Sequence, residues 1–132
     1  EEIKKRASQT ANLVAIGLET KGFQLSFFQK MRRDSKLPIR ELPYRTRRQA
    51  MNKAHGLDND KTGRAIMVAQ AFINNQLYLA ENLPYVDGVS VESELCGFPF
   101  AKHDDRLDVI AFLVAMAQTY AGPKWKVKLV HT

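Results

Sequence analysis

Hydrophobic positions along this chain change their period several times, and each change predicts an element. Ile3, Ala7 and Ala11 recur at helical spacing among charged neighbours, which predicts an exposed helix over residues 1–12. Leu13 to Leu18 is then a continuous apolar run, too short for most buried helices and suited to a strand covered on both faces. It stops at Glu19, and Thr20, Lys21 and Gly22 turn the chain. Phe23 to Asp34 is amphipathic, with Phe23, Phe27, Phe28 and Met31 predicted inward and Lys30, Arg32 and Arg33 outward. Ser35 to Pro38 ends that helix, and Ile39 to Leu42 forms a short strand. A strand, a helix and a strand in that order favour a parallel pair.

The second half repeats the alternation. Arg64 to Asn74 carries Ala65, Val68, Ala69, Phe72 and Ile73 at helical spacing, with Leu77 to Leu79 as the following strand. Asn82 to Ser90 is loop. Val91 to Cys96 predicts a helical turn with Leu95 inward. Pro99 keeps its predecessor extended, so the next helix starts near Asp104. It runs to about Tyr120, where Gly122 and Pro123 stop it. Trp125, Val127 and Leu129 finally alternate with Lys124, Lys126 and Lys128, a strand with one apolar and one lysine face. Those lysines either guard a sheet edge or track a phosphate backbone.

Chemistry concentrates where the longest apolar run begins. Asp104, Asp105 and Asp108 fall in the first turns of the helix that continues as Val109 to Ala117. At spacings of three and four they share one face, and like charges there repel by about 0.2–0.5 kcal/mol per pair. A divalent cation would compensate them, and oxygen-only ligands favour Mg²⁺ or Mn²⁺ over zinc. Arg106 and Lys102 could also neutralise them, and Asp is a favoured helix cap. Glu19, at the end of a buried strand, stands where α/β folds present catalytic groups; pairing with Lys21 is its plainer role.

Composition narrows the choices. With 132 residues, a single domain with a real core is expected. The net charge of +6 suits a polyanionic partner. Arg45, Arg47, Arg48 and Lys53 gather part of it beside Tyr44, as a phosphate-contacting patch or a solvated face. The lone Cys96 excludes an internal disulfide framework and a cysteine zinc site, and its apolar neighbours predict a buried, inert thiol. Val109 to Ala117 is about half the length of a bilayer crossing, so no membrane partner is expected. No signal peptide is visible, which makes the cytoplasm the default location. Asp58, Asp60 and Gly63 imitate a calcium loop, but its twelfth position is Ala69 where a Glu is required. That stretch reads as a turn.

The order of these parts resembles the C-terminal nuclease domain of the large terminase subunit of tailed bacteriophages, a member of the ribonuclease H-like superfamily. The likeness is carried by the strand ending in Glu19 with Lys21 and Gly22, and by Lys61 and Arg64 opening a helix that leads to Leu77–Leu79. It is carried most specifically by Glu94 and Leu95, then Phe98 and Pro99 running into Lys102, His103, Asp104, Asp105, Arg106, Leu107 and Asp108. It spans Leu13 to Gln118. The resemblance implies an α/β, ribonuclease H-like fold with a truncated mixed sheet flanked by helices. It implies a metal-dependent endonuclease that cuts concatemeric viral double-stranded DNA for packaging. Catalytic groups would be Glu19 and Asp105 with Asp104 close by, and Asp108 would join them around two Mg²⁺ or Mn²⁺ ions about 3.5–4 Å apart. Asp108 could instead fix geometry or bond Arg106. Lys61, Arg64, Lys102 and His103 would contact the nucleic acid, and His103 could alternatively cap the helix. Implied partners are an ATPase motor domain, a small terminase subunit and a portal, in the host cytoplasm.

The family's nuclease opens with a β-hairpin whose first strand supplies a further metal-binding Asp, and these residues hold no such hairpin. A fragment of a longer polypeptide, a prophage remnant or a shortened relative that dimerises to complete its sheet is therefore expected. Activity of this chain alone would suffer accordingly. No G-x-x-x-x-G-K-[ST] phosphate loop occurs, so the motor domain is not among these residues. Two other functions stay open: a non-catalytic DNA-binding or assembly module descended from such a nuclease, and a junction resolvase-like relative.

Overall fold

The computed structural model describes residues 3, 13, 15–18, 24–44, 56–57, 60–100 and 104–130. The chain divides into two compact units, Glu1–Pro43 and Tyr44–Thr132. Among the described residues it is a mixed α/β protein with four helices and two small parallel sheets.

The first unit contains β1 (Ile16–Leu18), α1 (Gln24–Asp34) and β2 (Ile39–Glu41). The strands pair in parallel, Ile16 opposite Ile39 and Leu18 opposite Glu41, as the strand–helix–strand order predicts. The Leu42 N–H extends the pairing to the Leu18 carbonyl at 3.2 Å. Phe28, Met31 and Ile39 form the core, with Ile3, Ile16, Leu18 and Leu37 packed on it. Two expectations are corrected here. The first strand is three residues long and half-buried throughout, so it is not covered on both faces as the apolar run suggested. Phe27 is 44% exposed, because a helix turns about 100° per residue and the face shared by Phe28 and Met31 leaves it to one side.

The second unit contains α2 (Lys61–Ile73), β3 (Leu77–Leu79), α3 (Val91–Gly97), α4 (Asp105–Tyr120) and β4 (Val127–Leu129). Its centre is α4, whose Ala111, Val114 and Ala115 are wholly buried. Ala111 and Ala115 are one turn apart, and their small side chains let the neighbouring elements approach closely. Met67, Val68 and Ala71 of α2 belong to the same core, together with Leu57, Leu77, Leu107, Ile110 and Trp125. Helix α4 ends as expected: Ala121 caps it and Gly122 follows at φ +86°, the left-handed conformation glycine adopts without strain. Strands β3 and β4 pair in parallel, with Leu77 opposite Val127, Tyr78 opposite Lys128 and Leu79 opposite Leu129.

The inward face of α2 lies one step round from the predicted one. Ala69 is exposed and Ile73 is 77% exposed, since each sits two residues, roughly 200°, from a buried Met67 or Ala71. Cys96 is also exposed, against the expectation of a buried thiol. Val91 and Glu94 define the inner face of α3, and Cys96, two residues on, faces away from it. Among the described residues no helix is long and apolar enough to cross a membrane.

Candidate functional site

Helices α2 and α4 bring their first turns together, and the acidic cluster meets two cations there. Lys61 opens α2, and its Nζ lies 3.0 Å from Asp104 Oδ2 and 2.9 Å from Asp108 Oδ2. Arg64, one turn along, donates from Nη1 to Asp108 Oδ1 at 3.2 Å. Its guanidinium also lies over the Phe112 ring, 5.7 Å from the centroid, on the turn of α4 that follows Asp108. Asp104 is the N-cap residue of α4, yet its side chain makes no capping bond. It serves Lys61 instead.

Asp108 is ion-paired with Lys61 and Arg64, and among the described residues no ion pair joins it to Arg106. The hydrogen bonds from Lys61 to Asp108, then to Asp104, raise the Lys61 pKa above its ordinary value. A raised lysine contributes stability below its unfolded pKa and loses it only as pH climbs through the higher folded value. The pair therefore persists across the neutral range and past pH ~10. Lys61 is 38% exposed at its side chain, so water and salt screen it. Lys61→Met is expected to lower stability by about 0.5–1 kcal/mol at low salt, by urea denaturation. The difference should shrink in high salt, and also at alkaline pH as the pH climbs through the raised pKa of Lys61 and the ammonium loses its charge.

Asp105 stands apart. It is exposed, and among the described residues no ion pair reaches it. The three carboxylates thus divide into a neutralised pair, Asp104 and Asp108, and one exposed group.

Glu94 and Arg106 form the second half of the site. Glu94 is 1% exposed. Its Oε1 accepts from Arg106 Nε at 2.9 Å, and its Oε2 accepts from the Leu107 backbone N–H at 2.9 Å. Leu107 is the third residue of α4, where a helix N–H has no partner inside the helix. Glu94 supplies that partner from α3. Arg106 Nη2 donates to the Val89 carbonyl at 2.9 Å, which ties the preceding loop to the same point. Sequence reasoning used Glu94 as a mark of resemblance and gave it no role. The available signal was its position: with Val91 three residues before it, a carboxylate lies on the apolar stripe of α3.

Glu19, Arg45, Arg47, Arg48, Lys53, Lys102 and His103 lie outside the described residues. Lys61 and Arg64, expected on nucleic acid, are engaged with carboxylates. Asp104, Asp105 and Asp108 offer only oxygen, a donor set that suits a hard divalent ion. Among the described residues, though, no group of three or more His, Cys, Asp or Glu side chains converges to hold a metal. Comparison of the chain with protein-family models, curated proteins and solved structures finds no match.

Proposed function

We propose that this chain is a metal-dependent DNA endonuclease domain of the terminase large-subunit type, with a ribonuclease H-like fold, acting on double-stranded DNA. The observation that carries the reading is a convergence. Lys61 and Arg64, Glu94, and the Asp104–Asp108 cluster bear the resemblance while lying far apart in sequence, and they gather around the first turn of α4. In this reading Asp105 and Asp104 are ligands of Mg²⁺ or Mn²⁺, and Glu19 is the further acid that the resemblance implies. The chemistry such ions supply is activation of water and charge stabilisation at the phosphodiester. The chain's own residues do the rest. Lys61 and Arg64 orient Asp104 and Asp108, Glu94 holds the turn in place, and Asp105 remains open to solvent. An ATPase motor domain, a small terminase subunit and a portal are the partners this reading brings with it.

One observation favours a second reading, a non-catalytic DNA-binding or assembly module. Lys61 and Arg64 balance Asp104 and Asp108 without any metal. Plasmid cleavage separates the two. The nuclease reading expects nicking that needs Mg²⁺ or Mn²⁺, stops in EDTA, and is lost in Glu19→Ala and in Asp105→Ala. Unchanged cleavage in both variants would remove it. DNA binding that persists in EDTA with no nicking at any metal concentration would establish the second reading.

A further inference from the structure

Strands β3 and β4 have one face on the core and one exposed face. Leu77, Leu79, Val127 and Leu129 pack inward. The opposite face carries Tyr78, Lys126 and Lys128: Tyr78 lies opposite Lys128 in the ladder, and the Lys126 Nζ sits 6.0 Å from the centroid of the Tyr78 ring. Tyr78 is 42% exposed, and both lysines are exposed, as is Lys124 in the turn before the strand. Among the described residues no ion pair engages Lys124, Lys126 or Lys128. Parallel strands are ordinarily covered on both faces by apolar elements. A face of lysine and tyrosine cannot take such a cover, because burying ammonium groups under hydrocarbon is prohibitively unfavourable. Its complement is a polyanion.

We propose that the Tyr78–Lys126–Lys128 face holds the phosphate backbone of duplex DNA. Lys126 directly precedes β4 and Lys128 lies within it, and alternate residues of extended chain lie about 6.6–6.8 Å apart, so the two lysines form a short row. Flexible lysine stems match such a row to phosphates without exact geometry, and contacts of this kind position a duplex without reading its sequence. The Tyr78 ring steadies the Lys126 amine between the strands. Lys61 and Arg64, the described cations expected on nucleic acid, are held by Asp104 and Asp108, whereas this face carries no described counter-charge. The inference concerns where a polyanion is held, and it is decided by binding whatever happens to cleavage.

The test is fluorescence anisotropy with a labelled duplex of about 30 base pairs in EDTA, titrated across KCl concentrations. Lys126→Ser/Lys128→Ser is compared with Lys30→Ser/Lys36→Ser, which removes the same charge from exposed positions of the first unit. Each phosphate contact contributes about 0.9 to the slope of log affinity against log salt, so the β4 variant should lose about 1.8 from that slope and about tenfold or more in affinity at low salt. The control should keep most of both. Lys126→Glu/Lys128→Glu should weaken binding further, with circular dichroism confirming that both β4 variants remain folded. Equal losses in the β4 variant and the control would overturn the inference, as would a wild-type chain that does not bind duplex. Attachment of the wild type to anionic vesicles but not to duplex would overturn it too. Absence of nicking alongside lysine-dependent binding would remove the nuclease reading and leave this inference standing.

Discussion

Glu94→Ala is expected to destabilise the second unit by about 3–5 kcal/mol, a loss large enough to unfold a marginal domain. The carboxylate is almost fully buried, and both oxygens are used. Its removal leaves the Leu107 N–H without an acceptor inside the core and takes from Arg106 its counter-charge, leaving it backbone carbonyls in a position where only 20% of the side chain meets water. An unsatisfied buried N–H costs about 1–3 kcal/mol, and the stranded guanidinium accounts for the remainder. Glu94→Gln should fall less far. Its one oxygen can still accept from the Leu107 N–H, but the amide NH2 then faces the Arg106 donors. Urea denaturation at pH 7 checks both variants, and a loss below about 1 kcal/mol in Glu94→Ala would show that this network is not what fixes α4.

Asp105→Ala and Asp108→Ala should part company, and the direction of the split is diagnostic. Asp105 is exposed and no described ion pair reaches it, so its loss should leave urea stability within about 0.5 kcal/mol of wild type. If it binds the metal, metal-dependent cleavage should fall by at least about 100-fold, the upper range for groups that merely support a metal ligand. Asp108→Ala removes a carboxylate partner of Arg64 and one of the two described partners of Lys61 in a half-buried setting. Its main effect should be on stability, about 1–2 kcal/mol, with cleavage reduced through the displaced Lys61 and Arg64. Equal effects on cleavage without any stability cost in Asp108→Ala would mean that Asp108 is itself a ligand.

Much of the fold was legible in the chain because local signals agreed. The Val109–Ala117 run, the Asp residues at its start and the Gly122–Pro123 stop together bound α4 nearly to the residue. The parallel pairing of β1 with β2 followed from a helix of ordinary length between two short apolar segments. Faces were harder. In α1 and α2 apolar residues lie on more than one side, so a shift of one residue turned Phe27, Ala69 and Ile73 outward. The site was legible as a set of residue types and not as a set of partners. Lys61 and Asp108 are 47 positions apart, from the numbering, and no local pattern pairs them. Arg106 lies between Asp105 and Leu107, which suggested a neighbouring Asp as its partner. Its carboxylate comes from α3 because burial of Glu94 demands a cation more strongly than an exposed Asp does.

The proposed nuclease reading requires that Glu19 and Asp105 each contribute to divalent-ion binding. Titration of Mn²⁺ into the wild-type chain, Glu19→Ala, Asp105→Ala and the double variant, read by the loss of the free-ion paramagnetic resonance signal, tests it most directly. Saturable binding in the wild type, a weakening of at least about tenfold in each single variant, and no further loss in the double variant is the result this account predicts. Mn²⁺ affinity that is the same in all four proteins, or that responds to one substitution and ignores the other, would contradict it.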